Sequence, residues 1–93
     1  MKVDIVARSG KEWSGEADSV VVPAFDGEMG ILDGREPVLA VLREGTVRVS
    51  RDEETKTFEV PQGFVVVDED VVTIVVNDSD MGHFDLEELD DRN

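Results

Sequence analysis

Cysteine is absent from this 93-residue chain, which removes disulfide staples and thiolate metal sites and fits a reducing, cytoplasmic setting. Tyrosine is absent too, and the aromatics total one Trp and four Phe, too few to build the stacking platforms of a sugar-binding sandwich. Basic residues are scarce: nine Lys and Arg face 23 Asp and Glu, for a net charge of −14. That field repels phosphate backbones and anionic headgroups, so nucleic-acid binding and direct membrane insertion are not expected. It would steer the chain toward a basic protein surface, or simply keep it soluble. No stretch approaches the ~20 apolar residues of a membrane helix, and Lys2 and Asp4 interrupt the N-terminus before a signal sequence can form. One histidine, His83, leaves nucleophilic catalysis without a base on any ordered element.

What the chain has in quantity is valine. Seventeen of them favour pleated, half-buried surface over helix. Short apolar runs are punctuated by Gly, Pro, Asp and Glu every six to ten residues, the rhythm of a meandering β-sandwich. Strands are expected near 3–8, 11–15, 17–22, 30–32, 38–42, 46–50, 55–60, 64–68 and 71–76, with a turn at Ser9-Gly10. Val47 and Val49 alternate with Thr46, Arg48 and Ser50, and Phe58 and Val60 with Thr57 and Glu59, so both strands have one wet face. Val65-Val66-Val67 and Val71–Val76 are apolar on both faces; either the sandwich covers both, or one is an interface. Trp13, between Glu12 and Ser14, is read as a core or seam anchor. The expected fold is all-β: a flattened antiparallel sandwich of nine to ten short strands over residues 1–77. Residues 78–93 form an acidic tail, flexible or a short helix.

Candidate chemistry is sparse. Asp78-x-Asp80-x-Gly82 faintly echoes a calcium loop but fails at three of its required positions. The carboxylate pairs Asp52/Glu53/Glu54, Glu69/Asp70 and Glu87/Glu88 are adjacent in turns or tail rather than set across a cleft. No catalytic residue, metal, cofactor or small-molecule substrate is therefore assigned. The segment that stands apart is Gly27-Glu28-Met29-Gly30-Ile31-Leu32-Asp33-Gly34-Arg35-Glu36-Pro37-Val38-Leu39, where three glycines surround a very short apolar pair and Pro37 pins φ before the next strand. Such architecture points to a shaped contact surface.

Ser14-Gly15-Glu16, Pro23, Gly27-Glu28-Met29-Gly30-Ile31-Leu32, Gly34, Pro37, Gly45, Gly63-Phe64 and Val72-Thr73-Ile74 stand in the order and spacing of one known pattern. In them the chain, across about residues 2–77, resembles the N-terminal β-sandwich of the epsilon subunit of the rotary F-type ATP synthase. Asp33, Arg35 and Gln62 depart from the usual Pro, His and Gly. The family's usual C-terminal helical pair does not follow Asn77 in this sequence; either the subunit is a short form or the chain is cut, and nucleotide sensing by that hairpin is not carried over.

By the same resemblance the chain is a non-catalytic central-stalk subunit. It would sit peripherally on the cytoplasmic face of a bacterial plasma membrane, in a complex with alpha, beta, gamma, delta, a, b and c subunits. Its role would be to couple proton translocation to rotary ATP synthesis by bridging gamma and the c-ring. Glu28, Met29, Gly30, Asp33 and Arg35 are expected to form the c-ring contact loop, and Val38, Ala40 and Leu42 the gamma interface. A free-standing sandwich that binds carbohydrate or peptide is the alternative.

Overall fold

A computed structural model describes residues 1–7, 10–34, 36–77 and 88–90. Ten strands follow one another: β1 (Lys2–Ala7), β2 (Gly10–Glu16), β3 (Ser19–Ala24), β4 (Gly27–Leu32), β5 (Val38–Leu42), β6 (Gly45–Arg51), β7 (Glu54–Val60), β8 (Gly63–Asp68), β9 (Val71–Val76) and β10 (Glu88–Asp90). All-β architecture follows from the valine content, and no helix occurs among the described residues.

The strands form one continuous sheet that folds over on itself. Its order is β10-β7-β6-β3-β5-β8-β9-β1-β2, with β4 added on β3. The fold line is the β3–β5 junction, a single bridge of Ala24 with Leu42. Two backbone bonds hold it: Phe25 N–H to Val41 O and Arg43 N–H to Pro23 O, each 2.9 Å. The half carrying β4, β3, β6 and β7 thus lies over the half carrying β5, β8, β9, β1 and β2. Trp13 of β2 meets Phe58 of β7 with ring centroids 5.0 Å apart, a tilted pair that closes the seam. The expectation for Trp13 is met.

Alternation decides what fills the interior. Val3, Ile5 and Ala7 of β1 are buried while Asp4 and Val6 are not, and Val47 and Val49 are buried while Arg48 is exposed. Val65, Val67, Val72, Ile74 and Val76 complete the core from the last two long strands.

Three expectations need correction. One pairing is parallel: β1 runs beside β9 with Lys2 opposite Val71 and Val6 opposite Val75. Patterning defines which face of a strand is apolar, but not its neighbour some seventy residues away. β4 begins at Gly27, not Gly30, because every residue from Gly27 to Leu32 has a partner on β3. Finally, Glu88–Asp90 is neither helix nor loose tail but an antiparallel edge strand, with Leu89 opposite Thr57. The outer edge of β7 offers backbone donors and acceptors that a strand can take up. Ser9, Asp78, Asp80, Gly82, His83 and Glu87 lie outside the described residues.

Two-residue turns join β6 to β7 and β8 to β9. In the second, Glu69 and Asp70 both adopt positive φ, 51° and 65°, the pattern whose twist suits a tight hairpin. Asp70 also ties neighbouring elements together. Its carbonyl accepts from Lys2 N–H at 2.9 Å and its Oδ1 from Gly34 N–H at 3.3 Å.

Candidate interaction surfaces

The outer face of β5, β8 and β9 is apolar and open. Leu39 is 69% exposed, Val41 62% and Phe64 40%. Register aligns Val41 with Phe64, Phe64 with Val75 and Val75 with Val6, so one apolar row crosses four strands. A second row runs from Leu39 through Val66 to Thr73. Phe25, 61% exposed, flanks the first row beneath the Arg43 guanidinium, whose carbon is 5.6 Å from the ring centroid. Between the β3–β4 turn and β5 lies an open groove of about 680 Å³, bounded by Phe25, Asp26 and Gly27 on one side and Leu39 and Val41 on the other. Of the two readings the doubly apolar strands allowed, one face of β8 and β9 is covered by the sandwich and the other is not.

The residues expected to face gamma differ in burial. Leu42 is 1% exposed and belongs to the core, while Val38 and Ala40 are half-buried and pack against it. Their neighbours Leu39 and Val41 face outward instead. Val38-Leu39-Ala40-Val41-Leu42 is apolar at every position, so no alternation marks the inner face, and a shift of one residue swaps the two sides.

The expected contact loop is also rearranged. Glu28, Gly30 and Leu32 point outward from β4, with Leu32 63% exposed, whereas Met29 packs against the core. Glu28 and Asp33 are held apart by the length of the strand, roughly 17 Å at about 3.4 Å per residue. Asp33 sits beyond the other end, 3.1 Å from the Met1 ammonium. Arg35 lies outside the described residues. Glu28 is brought instead to Arg48 of β6, whose Nη1 donates to its Oε2 at 3.2 Å. Twenty positions separate Arg48 from Glu28, so the sequence does not pair them; the outward phase of Arg48 in β6 is the one signal it carries.

Gly30 differs from Gly63. A β-carbon at Gly30 would meet nothing within 4 Å, and its φ is not positive, so contacts within the described fold do not demand glycine there. At Gly63 the added carbon would stand 1.9 Å from Val75 O, so the strands approach too closely for any side chain.

Among the described residues, no group of three or more His, Cys, Asp and Glu is placed to hold a metal ion. No helix among them is long and apolar enough to cross a membrane. The exposed acids Asp52 and Glu53 of the β6–β7 turn and Glu54 at the start of β7 line an open surface depression with Arg51.

Residues 1–80 match the family model of the β-sandwich domain of the ATP synthase delta/epsilon chain. The chain belongs to that family. Among curated relatives, the ATP synthase epsilon chain of a Nostoc species is 36% identical over 84 residues, covering 88% of this chain and 61% of its own length. That of Hydrogenovibrio crunogenus is 42% identical over 77 residues, covering 83% and 54%. The chain therefore spans about three-fifths of the length of the curated relatives it matches. Its fold is similar to a chain in the Euglena gracilis mitochondrial ATP synthase structure containing OSCP, F1 and c-ring. There the TM-score is 0.74 at 20% identity, over 95% of this chain and 51% of that one. A chain of the Tetrahymena thermophila central stalk and c-ring gives 0.69 at 18%, over 83% and 63%. Both likenesses concern the fold. On this sandwich, Gly63 is the close-approach glycine before Phe64, and Glu28 is the second residue of β4.

Proposed function

We propose that this chain is the sandwich of an epsilon-type central-stalk subunit, which links a gamma shaft to a membrane c-ring and turns with both. The observation that carries the reading is the open apolar face of Leu39, Val41, Phe64 and Phe25 on a sandwich of this family. Exposed apolar side chains in continuous rows favour a protein partner, since covering them removes water from their surface. Gamma is the partner assigned to that face. Glu28, Gly30 and Leu32 along outward β4, down to the Asp33-Gly34 turn, are assigned to the polar loops of the c-ring.

The task on this reading is mechanical. Torque passes from ring to shaft only if the connecting body does not deform, and a close-packed interior yields little under load. The Ala24–Leu42 junction and the Trp13–Phe58 seam tie the halves of the sandwich at two places, which resists sliding of one over the other. The chain contributes no catalytic group, and ATP forms on other subunits. A peripheral position on the cytoplasmic face of a bacterial membrane follows from the same assignment.

Reconstitution of the rotary complex with and without the chain tests this. Proton-driven ATP synthesis should fall several-fold and proton leak should rise when the chain is omitted. Undiminished synthesis in a sealed complex without it would overturn the proposal.

A further inference from the structure

We propose that Arg48 is the positioning residue for Glu28, holding its carboxylate ready for a hydrogen-bond donor on the c-ring loops. The inference rests on the assignment of outward β4 to that contact. Gly30 of β4, Val21 of β3 and Arg48 of β6 stand in one row across the sheet, because Val21 pairs with Gly30 on one side and with Arg48 on the other. Glu28 is two residues from Gly30 on the same strand and therefore on the same face. From β6, Arg48 must reach over β3, about 10 Å across at the usual strand spacing. The guanidinium ends 3.2 Å from Glu28 Oε2, with the two side chains 46% and 62% exposed.

Oε2 accepts from Arg48, and Oε1 has no partner among the described residues. One oxygen is therefore anchored and the other is presented outward. A glutamate on an edge strand otherwise samples many rotamers and must give them up on docking. Arg48 fixes it beforehand, so less freedom is lost when the partner arrives. With nine basic side chains against 23 acidic ones, the pair commits one of few cations in the chain. The partner chemistry that fits is a hydroxyl, amide or ammonium donor on a polar loop. An acidic loop would be rejected by Glu28.

The test is a double-substitution cycle in the reconstituted rotary complex, comparing wild type, Glu28→Gln, Arg48→Gln, Arg48→Lys and the Glu28→Gln/Arg48→Gln double variant. Each is titrated into complex depleted of this subunit, and recovery of proton-coupled ATP synthesis is read at two salt concentrations. Each single Gln variant should weaken the half-point of recovery about two- to fivefold, the scale of a surface ion pair, and more at low salt. The double variant should be no weaker than Glu28→Gln alone, and Arg48→Lys should recover at least half of the loss. Thermal midpoints within about 3 °C of wild type would place the effect in docking. If Arg48→Gln costs as much in the Glu28→Gln background as in wild type, tightens the contact, or changes nothing, the inference fails while the functional reading stands. A wild-type chain that never joins the complex overturns the functional reading, and the inference with it.

Discussion

Replacing Gly63 by alanine asks whether the close approach of β8 to β9 is a true constraint. The new β-carbon would lie 1.9 Å from Val75 O and 2.9 Å from both Val75 C and Val76 Cα. These are backbone atoms, so no side chain can swing away. Restoring an ordinary contact near 3.4 Å requires the strands to part by about 1.5 Å. That strains the Gly63–Val76 pairing and the 2.8 Å bond from Asn77 N–H to Gln62 O beside it. Overpacking a tight site costs roughly 1–3 kcal/mol, and loss of a hydrogen bond about 1 kcal/mol more. About 2–4 kcal/mol is thus expected, a fall of roughly 10–25 °C in thermal midpoint for a domain of this size. Thermal and urea unfolding followed by circular dichroism would measure it. A midpoint within 2 °C of wild type would refute the reasoning.

Gly30→Ala is the counterpart: with no clash in the described structure and less chain entropy to lose, it should raise the thermal midpoint by about 2–6 °C. If the c-ring approaches Gly30 closely, the same variant should lower proton-coupled ATP synthesis; a change in neither quantity would contradict both expectations. Glu69→Asn should relieve a residue held at φ 51°, giving about 0.5 kcal/mol and 2–4 °C in a thermal melt. Leu42→Lys should unfold the isolated domain, because it puts a charge at a position 1% exposed, whereas Val41→Lys should leave the melt within about 3 °C.

Much of this fold can be seen in the residues themselves, and where it cannot the cause is physical. Val47 and Val49 alternate with polar neighbours, so that strand and its inner face are evident before any coordinates; in β7 Phe58 and Val60 are buried as expected, but Thr57, expected on the wet face, is only 8% exposed. In β5 the run from Val38 to Leu42 contains no polar residue to mark a face. The inner side is set by Leu42 meeting Ala24 at the fold line, a contact between distant segments. The same holds for the site. Glu28 and Gly30 stand out as members of a glycine-rich motif, but the cation that holds Glu28 comes from another strand through β3 pairing. The parallel seat of β1 beside β9 is likewise invisible to patterning, since it joins opposite ends of the sandwich sequence.

The most direct test of a stalk role is the affinity of the purified chain for a purified gamma subunit, compared with Val41→Glu and Phe64→Glu variants whose folding is checked by circular dichroism. Saturable binding that each substitution weakens at least tenfold, with the fold retained, is the predicted result. No measurable binding by the wild-type chain, or binding indifferent to charges placed on that face, would contradict it.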